Sequence, residues 1–150
     1  ERERRSGTHN VAGIAALASA LASTDAERVD ENRRIAGLRD RLVDGLVGAL
    51  DDVIETVPRD AKVAGAAHVC IAGIESESLL FLLDEGGVCA SAASACASGA
   101  MEPSHVLAAM GIEPRFAAGA LRLSLGHAST DADVDRGLQV VVDAVGRLRR

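Results

Sequence analysis

Apolar residues recur in two rhythms along this chain, and the order of those rhythms constrains the fold more than any other feature. Ile35, Leu38, Leu42 and Leu46 fall on one helical face, with Arg33, Arg39, Arg41 and Asp44 largely on the others. Thr24-Asp25-Ala26-Glu27 has the form of a capping box, which predicts that this helix starts at Thr24 and ends at Leu50 and Asp51-Asp52. Ahead of it, Asn10 to Ala22 is rich in Ala and small apolar residues and predicts a separate helix packed closely on a neighbouring layer. Val53 to Val57 and Val69 to Ala72 have strand character, with a turn at Pro58-Arg59-Asp60 and a stop at Gly73. Glu75 to Leu83 returns to the helical period and Gly86-Gly87 ends it. Val88 and Cys89 predict a brief strand, and small residues from Ala90 to Ala100 a loop.

Pro103 suits the first turn of a helix that Gly111 terminates. In Ala120 to Leu125, Leu121, Leu123 and Leu125 face one way and Arg122 and Ser124 the other, as in a half-buried strand. Thr130 caps a last helix whose core stripe is Val134, Leu138, Val141, Val145 and Leu148. The predicted order is α, α, β, β, α, β, α, β, α. It defines an α+β layer, a small mixed or antiparallel sheet with helices on one face. The chain has no Trp or Tyr and only two Phe, so Ala, Val, Leu and Ile must fill the core. With a net charge of −6 as well, it lacks both the basic surface and the stacking rings of a nucleic-acid binder. No stretch reads as a signal peptide or membrane span, which makes the cytoplasm the expected compartment. The odd set Cys70, Cys89 and Cys96 favours reduced thiols. The opening, Glu1-Arg2-Glu3-Arg4-Arg5 without Met, is expected of a piece of a longer or processed chain.

Four positions can carry chemistry. Cys96 lies in Ser91-Ala92-Ala93-Ser94-Ala95-Cys96-Ala97-Ser98-Gly99, a run too small to pack a core but able to present one soft nucleophile. It can equally be a Cys standing where Ala or Ser would serve. Cys70 and Cys89 fall in strand-like segments and are expected in the core. Cys89, Cys96 and His105 lack the close spacing of a zinc site. Arg122, held on a rigid strand, suits bidentate capture of a carboxylate; the plainer alternative is a surface ion pair. Thr8 follows Gly7 just before a helix and suits a phosphate contact or an ordinary N-cap. Lys62, the only lysine, is expected to be solvated, and His9, His68, His105 and His127 to be structural.

Together these segments resemble the NifS/IscS group of cysteine desulfurases, within the class V aminotransferase superfamily of fold-type I pyridoxal-phosphate (PLP) enzymes. Arg5-Ser6-Gly7-Thr8-His9-Asn10 is similar to the group's arginine-rich Gly-Thr-x-Asn segment. Ser91 to Val106, with Ser94-Ala95-Cys96 and Glu102-Pro103-Ser104-His105-Val106, resembles its long active-site loop. Leu121-Arg122-Leu123-Ser124-Leu125-Gly126 is similar to its substrate-binding strand. The resemblance implies that Cys96 takes sulfur from L-cysteine as a persulfide, releasing alanine. It implies that Arg122 holds the substrate carboxylate and that Thr8 reaches the cofactor phosphate of the partner subunit in a homodimer. The sulfur would pass to an iron–sulfur scaffold or a tRNA-thiolation acceptor.

The family's Schiff-base lysine, ring-stacking histidine and pyridine-pairing aspartate have no counterpart in this sequence. The chain is therefore expected to be a C-terminal portion, inactive alone. Residues 1–23 would be a remnant of the large cofactor-binding domain, and 24–150 the small domain with a mobile cysteine loop at about 90–101. The bare first helix is expected to expose an apolar patch that promotes self-association. The rival readings are another class V aminotransferase-type enzyme and a truncated, non-catalytic interaction domain.

Overall fold

A computed structural model describes residues 6–92 and 104–150. Its dominant element is one helix, α1 (Val11–Ala49), 39 residues long. The expected break at Thr24 does not occur. No Gly or Pro interrupts 20–30, and a single Thr costs a helix only about 0.5 kcal/mol. Asp25 instead pairs with Arg28 one turn on, at 3.2 Å. The true N-cap is Asn10, whose side chain accepts from the Gly13 N–H at 2.9 Å.

Strands β1 (Val53–Glu55), β2 (Ala66–Ile71) and β3 (Ala120–Ser124) form a three-stranded antiparallel sheet in the order β1-β2-β3. Its register sets Val69 opposite Leu121 and His68 opposite Arg122. Glycines permit close approach at both ends of the β2–β3 ladder. A Cβ on Gly65 would stand 2.0 Å from the Leu125 carbonyl oxygen, and one on Gly119 1.9 Å from that of Ile71. The remaining helices are α2 (Ser76–Glu85), α3 (His105–Ala109), α4 (Pro114–Ala117) and α5 (Asp131–Leu148). A Thr130–Asp133 capping box starts α5.

Alternation along the strands sorts the sheet into two faces. Val69, Ile71, Leu121 and Leu123 pack with Leu38, Leu42, Val43 and Leu46 of α1, Leu79 and Leu83 of α2, and Val134, Val141 and Val145 of α5. Helices also lie on the other face, against the single-face expectation. There, Leu107 of α3 and Phe116 and Ala117 of α4 cover Cys70 and Ala120. Short as they are, α3 and α4 do not extend over the end of the sheet at His68, Arg122 and Ser124, where Arg122 and Ser124 are exposed and His68 half-buried. That open end positions the candidate site.

Candidate functional site

Arg122 projects from the open face and is solvent-exposed, as the alternation in β3 predicts. Eight other arginines (28, 33, 34, 39, 41, 59, 115 and 147) have a carboxylate partner. Arg136 and Arg149 donate to backbone carbonyls. Among the described residues, no carboxylate pairs with Arg122, so the surface ion pair expected as its plainer role is not made there. Its backbone is tied down: its N–H donates to the Ser91 carbonyl at 2.7 Å and its carbonyl accepts from the Ser91 N–H at 3.1 Å. Ser91 opens the small-residue run. Cys96 and Pro103 lie outside the described residues.

His68 stands directly across from Arg122. It is half-buried, and its Nδ1 lies 2.7 Å from the Thr56 hydroxyl. Burial holds its pKa below the ordinary value, and the positive charges of Arg122 and Lys62 push the same way. The ring is therefore neutral at neutral pH. The sequence marked His68 only as a strand residue; its proximity to Arg122 follows from strand register, which no local motif encodes.

Three sequence expectations are corrected. Cys89 is exposed, whereas Cys70 is buried as expected. The segment 88–92 meets β3 through the single Ser91–Arg122 bridge, so no strand forms at 88–89; Val88 packs on the core while Cys89 turns outward. A cleft of about 210 Å³ opens beside it, walled by Leu123, Ser124, Asp133 and Arg136 among others. Burial pushes the Cys70 thiol up to about 11, which keeps it protonated and unreactive. Lys62 is not solvated: its side chain is buried and paired with Glu55. Arg59 joins this group, bonding Glu55 at 3.1 Å and Asp44 of α1 at 2.5 Å. Thr8 is exposed, two residues before the Asn10 cap, beside Gly7 with φ +85°. Among the described residues no group of three His, Cys, Asp or Glu side chains converges to hold a metal, and no helix is long and apolar enough to cross a membrane.

A small antiparallel sheet with a long helix, two shorter core helices and an arginine raised from the last strand defines an α+β unit of the PLP-dependent transferase fold. Residues 1–136 match the Aminotransferase class-V family model, and the chain belongs to that family. It is 47% identical, over all of its length and 38% of the relative's, to the IscS-like cysteine desulfurase of Mycobacterium tuberculosis. It is 45% identical to the cysteine desulfurase IscS of Methanosarcina thermophila and 37% identical to the cysteine desulfurase NifS of Azotobacter vinelandii. Both matches take in 99% of this chain and 37% of the relative. A solved NifS-like protein superposes with a TM-score of 0.78 at 29% identity, covering 95% of this chain and 36% of that one. A second, from Rickettsia africae, gives 0.76 at 23% identity and supports the fold. The chain thus spans little more than a third of the length of the relatives it matches.

PLP is the cofactor this family implies. The residues present fit the margin of its site rather than its centre. The one lysine is committed to Glu55, while the exposed Thr8 hydroxyl before a capped helix suits a phosphate.

Proposed function

We propose that this chain is the substrate-gripping and sulfur-accepting part of a PLP-dependent cysteine desulfurase of the NifS/IscS group. The observation that carries the proposal is Arg122. It is a cation without a carboxylate partner among the described residues, and its backbone is bonded to Ser91 at the foot of the run that carries Cys96. Cys96 follows Ser91 by five residues in the sequence.

In this reading the Arg122 guanidinium receives the L-cysteine carboxylate through two parallel hydrogen bonds. PLP, when bound, supplies the electron sink that activates the substrate. The Cys96 thiolate attacks the substrate sulfur: an S–S bond forms, and the substrate C–S bond breaks with its electron pair left on the substrate carbon. That carbon takes up a proton, and Cys96 keeps the persulfide as alanine leaves. Thr8 contributes a hydroxyl toward the cofactor phosphate, across the interface of a homodimer. Residues 1–23 belong to the large cofactor domain and 24–150 to the small one, with the cysteine loop at about 90–101. Burial supports setting 1–23 apart from the small domain's core, since no described residue before Ile35 is buried. The enzyme works in the cytoplasm, and its persulfide serves an iron–sulfur scaffold or a tRNA-thiolation acceptor.

The test is a Cys96→Ser substitution in the full-length protein. Cofactor absorbance is expected to persist while persulfide formation from L-cysteine disappears. Undiminished sulfide release from that variant would overturn the assignment.

A further inference from the structure

We propose that His68 is a positioning residue for Arg122, its Thr56-anchored ring holding the guanidinium in place for an incoming substrate carboxylate. The inference rests on the reading of Arg122 as the carboxylate ligand and adds the residue that prepares it.

An arginine side chain carries several rotatable bonds, and a long chain left loose on an open face loses that freedom when it binds. Something must limit it beforehand if binding is to be efficient. In an antiparallel pair the residue directly opposite is the nearest neighbour, followed by the diagonal positions two residues away. Across from Arg122 these are His68, Ala66 and Cys70. Along its own strand they are Ala120 and Ser124. Ala66, Ala120 and Ser124 are too short to guide a guanidinium, and Cys70 is buried under α3 and α4. Ser91, bridged to Arg122 on the other edge of β3, is also too short, so among the described residues of this frame only His68 is both long enough and on the open face.

The ring is also fixed and uncharged. The 2.7 Å contact between Nδ1 and the Thr56 hydroxyl sets its orientation, and the Thr56 N–H donates to the His68 carbonyl at 3.3 Å. An acid at position 68 would capture Arg122 as an ion pair and leave nothing for a substrate. A neutral imidazole provides a flat wall without competing for the charge. Lys62, the other cation whose charge bears on His68, is already paired with Glu55. Arg122 therefore keeps the one positive charge on this face that the described residues leave uncompensated.

The experiment compares L-cysteine with cysteamine, the same amine and thiol without the carboxylate, in the full-length PLP-loaded protein. Affinity for each is read from the perturbation of cofactor absorbance. The unsubstituted protein is expected to prefer L-cysteine. His68→Ala should raise KM for L-cysteine roughly three- to tenfold, the range one immobilised long side chain is worth, with kcat within about twofold. Its affinity for cysteamine should not change. His68→Asn, neutral and able to bond Thr56, should restore most of the preference, and His68→Asp should abolish it. Equal discrimination by the unsubstituted protein and all three variants overturns this inference alone. No preference for L-cysteine in the unsubstituted protein overturns the carboxylate reading of Arg122 and this inference with it. Should the alanine variant fail to fold, the aspartate variant decides: a retained preference refutes the role.

Discussion

The two halves of α1 both carry large apolar residues at helical spacing and meet opposite fates. From Ile35 onward, Leu38, Leu42, Val43 and Leu46 are sealed against the sheet and α5. Before it, Val11, Ile14, Leu17, Leu21 and Val29 stand mostly in solvent. Their spacing still follows a helical face, so the outer half has the form of a packing surface that no described residue covers. Amphipathic rhythm specifies that a face will be buried; it does not specify by what. An inner face that finds its sheet becomes core, and an outer face with the same period stays exposed.

Single truncations give the strongest contrast between the halves. Leu46 is 0% exposed and Leu17 62%. Leu46→Ala should cost about 3 kcal/mol through lost contacts and a cavity. Leu17→Ala in the same chain should stay within about 0.5 kcal/mol. Denaturant midpoints at constant slope measure both. In the full-length protein, Leu17→Ala should instead cost roughly 2 kcal/mol once its face is covered. If Leu17→Ala is neutral there too, the outer half is not a packing surface.

The same contrast explains which parts of the fold were legible in the sequence. The α5 cap and stripe, the β3 alternation and the stop at Gly86-Gly87 are local signals, and each structural feature lies where its residues indicate. The helix start at Thr24 was misleading because a capping pattern describes a possible end, and nothing beside it breaks the chain. Cys89 was misread because a strand needs a partner, and 88–92 meets β3 at a single bridge. Lys62 is buried through a pairing with Glu55 seven residues away, beyond any helical or strand period. Arg122 stood out by its alternation, but its lack of an acid among the described residues and its alignment with His68 depend on tertiary register. Helix α4, four residues long, is too short to leave a periodic trace.

The caps offer a finer version of the comparison. Thr130 caps a helix anchored in the core, bonding Asp133 in both directions, so Thr130→Ala should lower global stability by about 1 kcal/mol. Asn10 caps the bare end of α1. Its loss should let the first turn fray without moving the denaturation midpoint, because fraying of an unpacked end is local. Amide exchange near Gly13 would report the fraying. A shift in midpoint for Asn10→Ala equal to that for Thr130→Ala would mean the outer half is coupled to the core after all.

The smallest effect sits at the joint between the halves. Glu31 takes two hydrogen bonds from Arg34, at 2.7 and 2.9 Å, and Arg34 also reaches the carbonyls of His127 and Ser129. These bonds tie α1, where its burial begins, to the loop after β3. The Arg34 hydrogen bonds lower the Glu31 carboxyl from 4.5 to about 2, against a smaller opposing effect of burial; the Arg34 charge and His127 add to the lowering. A carboxyl held below its unfolded value stabilises the folded state above about pH 4.5, and that contribution is lost as pH falls toward 2. The joint should therefore survive mild acid and open only in the lowest part of this window. Carboxyl NMR of Glu31 should show a midpoint near 2, and Glu31→Gln should erase the corresponding acid-dependent change in stability. A midpoint near 4.5 would mean that Arg34 does not hold the carboxylate in solution. The joint would then rest on the Arg34 bonds to the His127 and Ser129 carbonyls without the Glu31 pair.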